Sequence, residues 1–211
     1  MKILRYIMPI LLFCSCESLI EEPKSKHYYY NWDKSKIIYN DHRTWRNKTE
    51  VDVDIATFEV IKGRWAKDKN SIIYDGKKRP NIDVASFYID DNDVPKDKYH
   101  VFTTNWAGYT DNMLVWNGAD PKTFVHIRLA QSSNKEMWGK DNAHYFRKLH
   151  QVAGDYNTYE VLSEQFSKDK NKVYYEGAII EGADPKTFHY DTLNNTYRDA
   201  AHEYSFQGVR K

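Results

Sequence analysis

A pattern of twelve residues, written twice with little change, restricts the fold of this chain more than any other feature of its sequence. Residues 65–76 read Trp-Ala-Lys-Asp-Lys-Asn-Ser-Ile-Ile-Tyr-Asp-Gly, and residues 166–177 read Phe-Ser-Lys-Asp-Lys-Asn-Lys-Val-Tyr-Tyr-Glu-Gly. Looser copies centre on Asp33, Asp97 and Asp141, each with a bulky residue three positions earlier: Tyr30, Val94 and Trp138. In all five copies two apolar or aromatic residues stand four and five positions after the aspartate, as in Ile37-Ile38, Val101-Phe102 and Tyr145-Phe146. Such pairs predict a strand covered at least partly on both faces. The preceding Lys-Asp-Lys-Asn is turn chemistry, because the Asp carboxylate accepts from amides two residues on and Asn tolerates the left-handed conformation of tight hairpins. Each copy should therefore open with a hairpin. Gly76 and Gly177 supply a second turn, leading to a third strand such as Ala178-Ile179-Ile180.

A second motif, Asp-x-x-Thr/Ser-Phe/Tyr, is expected to close each copy, at Asp54 to Phe58, Asp83 to Phe87, Asp120 to Phe124, Asp155 to Tyr159 and Asp184 to Phe188. In Asp120-Pro121-Lys122-Thr123-Phe124 the Asp is an N-cap and Pro occupies the first helical position, so one helical turn should end by directing Phe124 into the core. A truncated sixth copy, from Tyr197 through Asp199, Tyr204, Phe206 and Gly208, would cap the array. The expected fold is all-β: an array of short hairpin or meander repeats, each closed by a single helical turn. Repeats of about 30 residues are short for a four-stranded blade, so an open twisted stack is preferred to a propeller-like ring. An aromatic share of 15%, including 17 Tyr and 6 Trp, suits strands on propensity.

The N-terminus carries a different signal. Lys2 and Arg5 precede the apolar residues Ile7, Met8, Ile10, Leu11, Leu12 and Phe13, and the cysteines Cys14 and Cys16 follow. A basic start and a short apolar run make an export signal, since a bilayer span needs about 20 apolar residues. The segment resembles a bacterial lipobox, with Ser15 as the small residue before Cys16, although Phe13 and Cys14 depart from the usual box. That resemblance makes Cys16 the lipidated residue, residues 1–15 the signal, 16–29 a polar tether and 30–211 the repeat domain. Cleavage before Cys16 would remove Cys14, leaving a domain with neither thiol nor disulfide and dependent on packing alone. The expected location is the cell envelope, the outer membrane before the inner, with the face left open.

The repeats themselves, above all Lys-Asp-Lys-Asn-x-Val-Tyr-Tyr-x-Gly and Gly-Ala-Asp-Pro-Lys-Thr-Phe, resemble the DKNYY repeat family of bacterial envelope proteins. The resemblance covers most of the chain from about Tyr30 onward and is specific in the second and fifth copies. It implies repeat architecture and compartment, and it implies no chemistry.

Gly118 to Thr123 and Gly182 to Thr187 superficially look like phosphate loops, but lack Gly before the Lys, and Pro121 and Pro185 each remove an amide donor. A calcium loop over Asp68-Lys69-Asn70 would place Ile72 at its fifth position and lysines beside the cation. The eight histidines show no ligand spacing, no nucleophile motif appears, and the recurring carboxylates occupy turn and cap positions. No metal, cofactor or catalytic residue is expected. Lys+Arg 31 against Asp+Glu 30 gives no field for nucleic acid. The candidate contact surface is Trp106, Tyr109 and Trp116, within an insertion of the third copy between Thr103 and Gly118. The sequence thus points to a non-enzymatic envelope lipoprotein that binds another envelope protein. A glycan- or peptidoglycan-binding module using exposed Tyr and Trp is the alternative, and an unrecognised hydrolase the third reading.

Overall fold

The computed structural model describes residues 18–20, 24–42, 48–104, 113–130, 137–191, 193–208 and 210. Among the described residues there is no α-helix; strands of two to four residues form seven small antiparallel sheets. Strands this short are marginal alone and need turns and packing to hold them. The chain divides into two compact units, Met1–Lys78 and Arg79–Lys211.

In the first unit, Ser18–Leu19, Tyr28–Tyr30, Ile37–Asn40 and Lys48–Val51 pair in sequence order. Glu59–Lys62, Trp65–Lys67 and Ile72–Tyr74 do likewise. Between them lies a core that includes Ile20, Tyr28, Ile37, Val60, Ala66 and Ile73. The predicted tether is corrected here. Ser18 and Leu19 extend the edge of the first sheet, the Ile20 side chain is buried, and Ser25 Oγ donates to the Gly63 carbonyl at 2.6 Å. A free strand edge and an apolar core offer both halves of the Leu19-Ile20 pair a better place than solvent.

In the second unit, Val125–His126, Trp138–Lys140, Tyr145–Arg147 and His150–Gln151 make one four-stranded sheet. Glu160–Val161, Phe166–Lys168, Val173–Tyr175 and Ala178–Ile179 make another. Before them, Tyr88–Ile89 pairs with Pro95–Lys96 and Phe102–Thr103 with Leu114–Val115, and a bridge between Lys96 and Val101 joins the two pairs. His189–Asp191, Thr196–Arg198 and Glu203–Tyr204 complete the unit.

The all-β repeat array is as expected, but its frame shifts. The Asp-x-x-Thr-Phe turn opens the sheet that follows it instead of closing the one before, because the residues after its aromatic pair with the strand that precedes the next Lys-Asp turn: Glu59 opposite Lys67, Val125 opposite Lys140, Glu160 opposite Lys168 and His189 opposite Arg198. Short strands let a repeat of this length hold four strands. The helical turn is real: Ile55–Thr57 and Tyr156–Thr158 are 3₁₀ turns capped by Asp54 and Asp155. Phe124 and Phe188 close α-type bonds to the carbonyls of Asp120 and Asp184 at 3.0 and 2.9 Å.

Phe87, Phe124, Tyr159 and Phe188 are buried as predicted, and Phe58 is half-buried against the first unit's core. Facing them is a column of small residues, Ala66, Gly139 and Ser167, in the middle of the strand before the Lys-Asp turn. A Cβ on Gly139 would lie 2.3 Å from Phe124 Cζ, and the hydroxyls of Tyr159 and Ser167 bond at 2.7 Å. Both members of each third-strand pair are buried in Ile72-Ile73, Val101-Phe102 and Val173-Tyr174.

Two turn assignments change. Asn70 and Asn171 are not left-handed; in these two copies that conformation falls at the next turn, on Asp75-Gly76 (φ 57° and 69°) and Glu176-Gly177 (φ 51° and 87°). Both central residues at positive φ is the tight hairpin geometry whose twist matches the strands. In the first copy, Asn31 replaces Asp33 as the anchor: its Oδ1 accepts from Lys36 N at 2.9 Å, with the loop two residues longer than in the second copy.

Candidate functional site

The register that opens each sheet lays the capping Asp beside the turn Asp, and a shared hydrogen-bond network results. It occurs at the pairs Asp54/Asp68, Asp83/Asp97, Asp120/Asp141, Asp155/Asp169 and Asp184/Asp199. In each, Oδ2 of the turn Asp accepts the backbone N–H of the capping Asp at 2.8–3.1 Å. Oδ1 accepts the amides two and three residues on, at 2.7–2.9 Å. The Thr or Ser of the Asp-x-x-Thr/Ser motif accepts the amide after the turn Asp at 3.0–3.2 Å. In the fifth and sixth copies a tyrosine hydroxyl, Tyr174 or Tyr204, also donates to the buried carboxylate, at 2.9 and 2.6 Å.

These turn aspartates are at most 4% exposed, and so polar a side chain is tolerated there only because its oxygens are occupied by donors. Burial would push Asp169 up, yet the amides of Asp155, Asn171 and Lys172 with the Tyr174 hydroxyl hold it below the usual carboxylate range. Asp141 and Asp199 are held down against burial in the same way. Burial and the adjacent Asp199 push the Tyr204 hydroxyl up to about 12. Chemically, these carboxylates act as anchors for backbone donors; their oxygens are occupied.

The predicted site residues fare differently. Cys16, Trp106 and Tyr109 lie outside the described residues. Trp116 does not line a surface: it is 1% exposed and packs on Phe124 and Phe146, with ring centroids 5.0 and 6.4 Å away. Its amide donates to the Val101 carbonyl as those of Val152 and Ile180 donate to Tyr145 and Val173, each at 2.9 Å. Trp116 is thus a regular repeat position after the fourth strand, and the insertion ends before it. Three of the histidines have a pattern that ligand spacing does not reveal. His100, His144 and His202 stand three residues after turn aspartates, with Nδ1 at 3.4–3.6 Å from the carboxylate. Among the described residues no cluster of His, Cys, Asp and Glu could hold a metal ion.

A cavity of about 520 Å³ opens elsewhere in the second unit, between the Leu162–Gln165 turn and the rings of Tyr190, Tyr197 and Phe206. Behind the turn, the buried Trp138 donates its indole N–H to the carbonyls of Ser163 and Glu164 at 2.9 and 3.2 Å. Arg147 Nε also donates to the Glu164 carbonyl, at 3.0 Å.

Comparison with known families agrees with the repeated network. A model of the DKNYY family matches residues 9–106 and again 108–207. The chain belongs to the DKNYY family. No curated protein and no solved structure matches it. In this DKNYY chain the clearest copy, residues 166–177, shows what its conspicuous residues do: Asp169 gathers the turn amides, Tyr174 bonds Asp169, and the Tyr175 ring covers Gly208, where a Cβ would come within 2.4 Å of it. The sequence signal for this network is the interval from the capping Asp to the next turn Asp, 14 positions in three of the five pairs.

Proposed function

We propose that this DKNYY protein is a non-enzymatic lipoprotein of the cell envelope, acylated on Cys16, whose β-repeat array holds an envelope protein or glycan. The observation that supports binding over catalysis is the fate of the recurring carboxylates: five times over, the buried turn Asp is saturated by backbone amides. A general acid or base needs an oxygen facing a substrate. The lipid assignment is supported by the basic and apolar start and by Ser15-Cys16, and more than one acyl chain gives a stable hold on a membrane. In this reading the acyl site lies two residues before the first strand, which begins at Ser18. The domain would sit close against the membrane.

The anchor is tested by metabolic labelling with a fatty-acid probe. Cys16→Ser should abolish incorporation and leave the protein uncleaved or soluble, while undiminished labelling would place the lipid on another residue or remove it from the account.

A further inference from the structure

We propose that the first unit rests on the membrane through its hairpin loop 31–36, with the Trp32 indole seated among the lipid headgroups beside the acylated Cys16. This rests on the lipid anchor proposed above and adds which surface faces the bilayer. Strand register carries the argument. Ser18 lies opposite Tyr30 and Leu19 opposite Tyr29 in an antiparallel pair, so the strand that follows the acyl site begins at the same end of the sheet as the loop that follows Tyr30. Cys16 is two positions before Ser18, and Trp32 is two positions after Tyr30. Each of those steps spans at most about 7 Å, and the paired strands lie about 5 Å apart. A lipid on Cys16 therefore brings this end of the sheet, with Trp32 on it, to the membrane.

The loop itself suits that contact. Trp32 is 78% exposed, more than any other aromatic among the described residues. The loop that displays it is ordered: Asn31 N donates to the Lys36 carbonyl at 3.1 Å, Lys34 N to the Asn31 carbonyl at 3.0 Å, and Lys36 N to Asn31 Oδ1 at 2.9 Å. It is also the loop that runs two residues longer than its counterpart in the second copy, whose tip is Lys69-Asn70. An indole, with an apolar body and one N–H donor, is the side chain that collects at the membrane–water boundary. The charges at this end of the sheet cancel. Asp33, Glu50 and Asp52 stand against Lys34, Lys36 and Lys78, with Lys36 on Glu50 and Lys78 on Asp52, each at 2.7 Å. No field drives the surface towards anionic lipid or away from lipid in general, so the indole carries the contact. One Trp is a weak anchor in free solution, but the acyl chains make its insertion an intramolecular step at high local concentration.

The test is Trp fluorescence of the full-length acylated protein in phosphatidylcholine vesicles whose acyl chains carry bromine near the headgroup as a quencher. Part of the wild-type emission should be quenched, and that part should be lost in Trp32→Ser, with unchanged thermal unfolding as the control for folding. The comparison assigns the signal among the six Trp of the chain. Exchanging some phosphatidylcholine for phosphatidylglycerol should change the quenching by less than about twofold, since the charges at this end cancel. Quenching that persists in Trp32→Ser, that is absent from vesicle-bound wild type, or that needs phosphatidylglycerol would overturn the proposal and leave the lipid anchor standing. Protein whose Cys16 carries no acyl group would overturn both.

Discussion

Replacing Asp169 by Ala tests whether the repeated network holds the fold. Its carboxylate accepts four hydrogen bonds, from the amides of Asn171, Lys172 and Asp155 and from the Tyr174 hydroxyl, at 2.7–2.9 Å. The first two donors lie in an exposed turn where water can replace the carboxylate. The Tyr174 hydroxyl is deeply buried and the Asp155 amide is wedged between two turns, so these two are left unsatisfied, at about 1–3 kcal/mol each. Asp169→Ala should therefore destabilise by about 2–6 kcal/mol, a large part of a domain's total. Asp155→Ala, whose carboxylate accepts from Asn157 N and meets the exposed Lys170, should cost a minor fraction of that. Urea unfolding followed by Trp fluorescence gives both midpoints at constant slope. Asp169→Asn keeps one acceptor and should recover part of the loss. If Asp169→Ala unfolds no earlier than Asp155→Ala, the buried carboxylates are not what ties the turns together.

Other consequences can be measured on the same protein. Gly139→Ala pushes a methyl into the Phe124 ring, 2.3 Å away, and should cost about 1–3 kcal/mol of overpacking; a neutral result would mean that the strand moves freely. Phe124→Ala should cost about 3–5 kcal/mol, and Phe58→Ala less, since Phe124 is 1% exposed and Phe58 half-buried; equal losses would contradict the burial pattern. Asp141, Asp169 and Asp199 have folded-state pKa values below their unfolded ones, so their stabilisation is full above the unfolded value of about 4 and fades as pH falls through the folded values. Stability should be insensitive to these groups from pH 5 to 8 and fall below about pH 4; removing one of the three should flatten that acid limb, and an unchanged limb would assign it elsewhere.

Much of this architecture is legible in the sequence because the array repeats its local chemistry. The turn Asp, the paired apolar residues after it and the capped Phe turn each have a local physical cause, and recurrence marks them. What escapes is pairing between motifs. That Glu59 faces Lys67 and Asp54 N meets Asp68 is a matter of register, fixed by packing over the small residues Ala66, Gly139 and Ser167, and these look featureless until an aromatic ring is placed above them. Trp116 misleads for a related reason: it follows an insertion, and only its hydrogen bond to Val101 reveals the repeat position it shares with Val152 and Ile180. Asn31 does so too, since a loop two residues longer disguises which side chain anchors the first turn. The cavity could not be read at all, as its walls come from residues far apart in the chain, Leu129 to Phe206.

The central claim, that this array binds an envelope component without transforming it, is tested most directly by mixing the full-length protein in detergent with isolated envelope proteins and cell-wall glycan, and measuring in one experiment what is retained and what soluble product is released. Saturable retention on one of the two fractions, with no product formed over hours, is the predicted result. Product release, or the absence of retention on both fractions, would contradict it.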